Sequence, residues 1–175
     1  MVEQDLPSEK ELQSTAYHEA GHAVAAHWER VRLESATIVP GDDFDGKVIS
    51  RNLLHGRNVD SDASQRNRSR MLRMVRVSLA GLAAQRRFDA ESVKDWHGEY
   101  DYQKAADLVS YFTENDRELE AYLNLLLVQA EGIFDRPFVW DQVTAVAEAL
   151  LAKKTLKSLE LRRIMHLACQ QAMDR

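Results

Sequence analysis

The sequence predicts a mainly α-helical, single domain of about five to six helices, with a small β-hairpin or short sheet after the first helix. Three observations lead there. The chain has 175 residues, 45% of them hydrophobic and 29% charged, the balance of one globular domain with its own core. Glycines number seven and prolines three, and helix-forming residues dominate. One pair of β-prone runs flanks a Gly/Asp-rich turn, while the other apolar residues recur every three or four positions.

Residues 1–7 are expected to form a flexible N-terminus. Ser8 and Glu11 then read as a capping box just after Pro7, opening a helix that runs to about Arg30. Ala36–Val39 and Lys47–Ser50 enclose the turn-forming Pro40–Gly46 and suggest a hairpin. A polar stretch from Asn52 to about Arg66 reads as a loop. Leu72, Val75, Leu79 and Leu82 mark a second helix fading near Phe88, and Asp89–Gly98 a connecting loop. The third helix carries Ala105, Ala106, Val109 and Phe112; the fourth carries Leu119, Leu123, Leu126 and Ala130 and is expected to end at Gly132. Pro137 suits the first turn of a fifth helix, with Asp135 as a nearby cap and Val143, Val146, Ala147 and Leu150 as its apolar stripe. Ser158 is expected to cap the last helix, which buries Leu161, Ile164 and Leu167 or Ala168.

The formal net charge of −5 conceals an asymmetry, because from Arg51 to Arg87 nine arginines face only Asp60 and Asp62. Arg66, Arg70 and Arg73, spaced by four and three, define one basic helix edge. No aromatic platform or nucleic-acid motif accompanies it, so a solvated face is expected rather than a nucleic-acid site. The single cysteine, Cys169, excludes an intramolecular disulfide and, among Ile164, Leu167 and Ala168, reads as a buried inert thiol. Met1–Asp5 lacks the basic and apolar regions of a signal peptide, and no apolar run approaches the roughly 20 residues that span a bilayer, so a soluble, cytoplasmic chain is expected.

Within the first helix stands Tyr17-His18-Glu19-Ala20-Gly21-His22. At about 100° per residue, His18 and His22 lie only about 40° apart on the helix surface, so both imidazoles can reach one zinc ion. Glu19 is one residue beyond the first histidine, beside the metal rather than bound to it, where it can take the proton of a water that attacks a peptide carbonyl. His-Glu-x-x-His is the zincin signature. The competing reading is a buried helix that merely carries histidines. Both histidines fall off the arc of Ala16, Ala20, Ala23, Val24 and Val31, and Gly21 between them permits close approach of another backbone. His27 points about 180° from His18 and falls within that arc, so it is expected to pack in the core or face a partner.

A catalytic zinc needs three protein ligands plus water. Lys94–Ala105 holds four more donors in Asp95, His97, Glu99 and Asp101, and spacing alone does not choose among them. Asp101 reads equally as an ordinary helix N-cap, and His97 and Glu99 as a solvated loop. Trp96, Tyr100 and Tyr102 flank these residues, where they either line a substrate pocket or pack around the helix end.

Tyr17-His18-Glu19-Ala20-Gly21-His22-Ala23-Val24, Ala36-Thr37-Ile38-Val39-Pro40, Ala80-Gly81-Leu82-Ala83-Ala84-Gln85, Asp101-Tyr102-Gln103-Lys104-Ala105-Ala106 and Ala149-Leu150-Leu151-Ala152-Lys153-Lys154-Thr155-Leu156 follow one another in an order that resembles the peptidase domain of the FtsH family, the AAA+ membrane-anchored zinc proteases. The similarity covers most of the chain from about Ser8. It implies a mainly helical fold with a small β element, Zn2+ held by His18, His22 and Asp101, and Glu19 as general base. Gln85 stands where the family usually has Glu, and Tyr100 where it has Asn. These 175 residues hold no Gly-x-x-x-x-Gly-Lys-Ser/Thr phosphate loop and no apolar run long enough for the family's membrane anchor, so neither is expected here. The resemblance therefore implies a soluble zinc-dependent metalloendopeptidase, ATP-independent by itself, that hydrolyses flexible or unfolded polypeptides or works with a separate ATPase partner; a homo-oligomer is implied by the resemblance alone. The strand near Thr37–Val39 is expected to pair with extended substrate. The alternative is a catalytically inactive relative that keeps the fold as a peptide-binding or assembly domain.

Overall fold

The computed structural model describes residues 8–41, 45–56, 64–93 and 98–174. Six helices and a three-stranded sheet account for most of them: α1 (Glu9–Trp28), β1 (Leu33–Thr37), β2 (Lys47–Ser50), α2 (Gln65–Phe88), α3 (Glu99–Ser110), α4 (Asp116–Phe134), α5 (Pro137–Lys153), β3 (Thr155–Lys157) and α6 (Ser158–Met173). This is the mainly helical architecture with a short sheet that the sequence predicts. The expected flexible stretch 1–7, Asp42–Phe44 of the hairpin turn, and Asp95, Trp96 and His97 lie outside the described residues.

Helix α1 opens on the predicted capping box: Glu11 N donates to Ser8 Oγ at 3.3 Å, and Ser8 N donates to Glu11 Oε2 at 3.0 Å. It ends two residues early. Arg30 turns left-handed at φ 55, Val31 N donates to Ala26 O and Arg30 N to His27 O, the hydrogen-bond pair of a Schellman ending. The middle of α1 is buried on every side, from Glu19 through Ala26. A single apolar stripe does not describe such a helix. His27 lies in the arc but in the last turn, and it is exposed rather than packed in the core.

The first strand begins earlier than expected, at Leu33. Leu33 and Ala36 supply the buried side chains, with a register irregularity between Leu33 and Ser35. It stops at Thr37 because Val39 N bonds to the Thr37 hydroxyl and Pro40 offers no N–H. The strand order is β2-β1-β3, all antiparallel. β1 is therefore the central strand: Thr37 pairs with Lys47 on one side and Thr155 on the other, and Ile38 N donates to Lys154 O. The expected open edge for substrate at Thr37–Val39 is accordingly closed, and β2 forms an outer edge instead. β3 was hidden in the sequence because three residues between two helices are too short to show a period of two.

Other boundaries also moved. α4 runs through Gly132 to Phe134, since Leu126, Ala130 and Phe134 keep the buried stripe going and a helical glycine costs only about 1 kcal/mol. Asp135 follows α4 as its C-cap; α5 starts at Pro137 without a side-chain cap. Ser158 is the first residue of α6 rather than its cap, and Glu160 instead accepts from Lys157 N at 3.1 Å. α6 buries Leu161, Met165 and Ala168, leaving Leu167 exposed and Cys169 half-buried.

Two apolar clusters meet across α2. One joins α1, α2, the sheet, the end of α4, α5 and α6 around Val24, Ile38, Phe134, Leu150 and Leu161. The other joins α2, α3 and α4 around Val75, Leu79, Val109 and Leu126. Trp28 Nε1 donates to Gln142 Oε1, and Gln142 Nε2 donates to Met165 O, which fastens α1, α5 and α6 together.

The arginine-rich segment is solvated at Arg51, Arg66, Arg68, Arg86 and Arg87, while several of its arginines also act as clamps. Arg73 donates to Glu29 O at the end of α1, and Arg76 grips the Glu29 carboxylate with two nitrogens. Arg68 donates to Tyr122 Oη and lies over the Phe112 ring; Arg87 lies over Trp140 and pairs with Asp135.

Helices α1 and α2 approach so closely that a Cβ on Gly21 would stand 2.5 Å from Ala84 Cβ and 2.6 Å from Ala80 O. Backbone, not a flexible side chain, would have to move. Gly21→Ala is expected to destabilise the chain by about 1–3 kcal/mol through overpacking, despite the roughly 1 kcal/mol helix-propensity gain of alanine. A urea-unfolding midpoint equal to that of the wild type would contradict this packing.

Candidate metal centre

His18 and His22 project from one side of α1 toward α2, and the first turn of α3 brings Asp101 to them. Gly98, left-handed at φ 78, turns the chain into α3, so the N-cap position belongs to Gly98 and Asp101 sits three residues further on. The ordinary-cap reading of Asp101 therefore fails. Glu99 is exposed and outside the cluster. The ligand atoms of His18, His22 and Asp101 all lie within 4.8 Å of one another, the one such group among the described residues. His18 Nε2 is 3.0 Å from His22 Nε2, and Asp101 Oδ2 is 3.3 Å from the first and 3.0 Å from the second. Tetrahedral ligands at about 2.0–2.1 Å from a zinc ion stand roughly 3.3 Å apart, so the triad has the span such an ion needs.

The backs of both rings are held. His22 Nδ1 donates to Val77 O at 2.7 Å, and His18 Nδ1 donates to Gln85 Oε1 at 3.1 Å. With Nδ1 carrying the proton in each neutral ring, both Nε2 lone pairs face Asp101. Three acceptors converging at about 3 Å repel one another unless a cation lies between them.

Helix α2 makes room for this through Gly81. A Cβ there would run into Nε2 of His22 and stand 2.6 Å from Nε2 of His18. Gly81 and Gln85, four apart on α2, thus face His18 and His22, four apart on α1. That matched pair of spacings is the signal that would have linked Ala80–Gln85 to the metal motif.

Glu19 is 5% exposed. Its side chain lies beneath Gly46 at the entry to β2, where a Cβ would meet Glu19 Cγ at 2.7 Å and Oε1 at 2.8 Å. Among the described residues Glu19 Oε2 is buried without a hydrogen-bond partner, a costly arrangement for a carboxylate. Burial pushes its carboxyl above the ordinary range, while the charges of His22 and His18 pull it back. Burial lowers His22, but the charge and hydrogen bond of Asp101 outweigh it and lift the imidazole to about 9. Burial raises Asp101, yet the charge of His22 beside it, foremost, holds it well below the carboxylate range. Tyr100, 79% exposed, and Tyr102 stand on the surface beside Asp101 rather than packed around the helix end. No family model matches the chain, and no curated protein matches it.

The donor set therefore forms a candidate metal-binding triad, with an orphaned carboxylate oxygen at its side. The wild-type chain is expected to retain one divalent ion after dialysis and Asp101→Ala to lose it, as read by metal analysis. Gly81→Ala makes a finer test, because imidazole rings rather than backbone must yield. It should keep the wild-type helical circular dichroism and still lose the ion; full metal occupancy in a folded Gly81→Ala would contradict the geometry.

In the metal-free chain the His22–Asp101 pair also sets a pH dependence. His22 is raised from 6.5 to about 9, so its contribution is complete below 6.5 and fades as pH rises through about 9. Asp101 is lowered from 3.8, so its contribution is present above that value and is lost as pH falls. The pair's contribution to metal-free stability should thus be greatest between 3.8 and 6.5 and decline toward pH 9. Asp101→Asn should flatten the alkaline decline in urea titrations.

Proposed function

We propose that the chain is a zinc-dependent metalloendopeptidase acting on flexible or unfolded polypeptides. The observation that carries this reading is the pairing of the triad with Glu19 Oε2, a buried carboxylate oxygen that has no partner. Two imidazoles and one carboxylate, with the imidazoles hydrogen-bonded from behind, make a donor set suited to zinc. A zinc ion bound there supplies Lewis acidity toward a peptide carbonyl and an attacking water.

The chain's own residues do the rest. His18 and His22 present Nε2, and Asp101 supplies a negative oxygen that offsets part of the ion's charge. Glu19, one residue beyond His18 and with Oε2 unsatisfied, is the group that would take a proton from water at Oε2 and return it to the leaving amine. Gly46 closes over the Glu19 side chain and shields it from bulk solvent. β2 follows directly from Gly46, and its outer edge pairs with no strand among the described residues. An extended polypeptide adding to that edge would run toward Glu19. Main-chain N–H and C=O groups that must pair with a strand edge have to come from chain already unfolded, which supports flexible substrates over folded ones.

Glu19→Gln preserves shape and leaves the metal ligands untouched while removing the base. It should retain the metal and lower cleavage of an unfolded protein such as casein by at least about 100-fold, the lower range for a lost general base. Cleavage at the wild-type rate would remove Glu19 from the mechanism.

A further inference from the structure

Gln85 is 2% exposed and lies between His18 and the short 3-10 turn Ala90–Ser92. Its Oε1 accepts from His18 Nδ1 at 3.1 Å; its Nε2 donates to Ser92 O at 3.3 Å and to Ser92 Oγ at 3.4 Å. The two ends of an amide are not interchangeable here. Ser92 O is a main-chain carbonyl and only accepts. Ser92 Oγ donates its own proton to Asp89 O at 2.7 Å, which leaves it to accept as well. Reversing the amide would set oxygen against two acceptors and NH2 against His18. The turn itself is held: Asp89 Oδ1 accepts from Glu91 N at 3.0 Å, and Asp89 pairs with Lys10 of α1 at 2.9 Å.

We propose that Gln85 is a positioning residue that sets the tautomer of His18: the Ser92 turn orients the amide, the amide holds the proton on His18 Nδ1, and Nε2 is thereby left as the lone pair that meets the metal. This builds on the metal-centre reading. It adds that the ligand behind it is a neutral amide. Compared with a carboxylate at the same place, an amide donates less charge into the ring, so the centre formed by His18, His22 and Asp101 keeps more of a bound cation's positive charge.

The test compares Gln85→Leu and Gln85→Glu in the full chain. Leu removes both ends of the amide. Glu keeps an acceptor facing His18 but destroys the donor to Ser92. In the metal-free chain, ring 15N chemical shifts of His18 should show the proton on Nδ1 in the wild type and in Gln85→Glu, and lose that preference in Gln85→Leu. Zinc affinity, from competition with a chromophoric chelator, should fall about 10–100-fold in Gln85→Leu and return to at least the wild-type value in Gln85→Glu. If Gln85 serves only to anchor the turn, Glu behaves like Leu in both measurements and the proposal is overturned. A folded Gln85→Leu with the wild-type His18 shifts overturns it too. Failure of the wild type to bind zinc would count against the metal centre, while the 15N measurement on the metal-free chain still decides the role of Gln85.

Discussion

The close approach of α1 to α2 is the constraint on which the rest of the molecule depends. Gly21 on one helix and Ala80 and Ala84 on the other leave no room even for a Cβ. Backbones that near to each other bring the face of α1 carrying His18 and His22 against α2, and there the absent side chain of Gly81 leaves a slot for two imidazole rings. The same approach puts Val77 O within 2.7 Å of His22 Nδ1 and Gln85 within 3.1 Å of His18. Larger residues at the contact would separate the helices, and rings and partners would then lose one another together.

Burying a helix on every side removes the usual division between an apolar and a polar face. The arc of Ala16, Ala20, Ala23 and Val24 packs toward the sheet and α5, while His22 and Glu19 are buried on another side. Buried polar groups are costly unless satisfied. His22 is satisfied at both ends by Val77 O and Asp101, whereas Glu19 Oε2 has no hydrogen-bond partner among the described residues. The arginines of α2 add rigidity around this arrangement. Arg73 and Arg76 hold the end of α1 at Glu29, and Arg68 and Arg87 tie α2 to α4 and α5 through aromatic rings.

What could be read in the sequence was what is local. The capping box at Ser8, the helical spans and the i, i+4 histidines are set by neighbours within one or two turns, and they recur in the structure at those positions. Boundaries decided by tertiary packing were not legible: β1 begins at Leu33 because it lies between two other strands, and α4 passes through Gly132 because Phe134 is buried beyond it. His27 has the right phase for the core but sits in the last turn, where phase no longer tells burial. Asp101 is 79 residues from His22. Among four donors in one stretch, periodicity could not select it; family resemblance did, and the turn at Gly98 gives that choice a geometric basis. Gln85 was visible only as a departure from a family pattern, since a partner for His18 Nδ1 is a three-dimensional property.

The close spacing of the triad has an energetic consequence. Two Nε2 lone pairs and a carboxylate oxygen at 3.0–3.3 Å oppose one another, and α1, α2 and α3 must hold them there against that repulsion. A proton shared with His22 relieves it in part, which is why Asp101 lifts that imidazole so far. A divalent cation held there would relieve it for all three ligands at once and, binding the folded chain alone, would stabilise it by mass action. His22 would then give up its proton, so metal affinity should weaken as pH falls, through the same Asp101–His22 contact. Stability, protonation and metal binding are thus linked through one carboxylate, delivered by the first turn of α3.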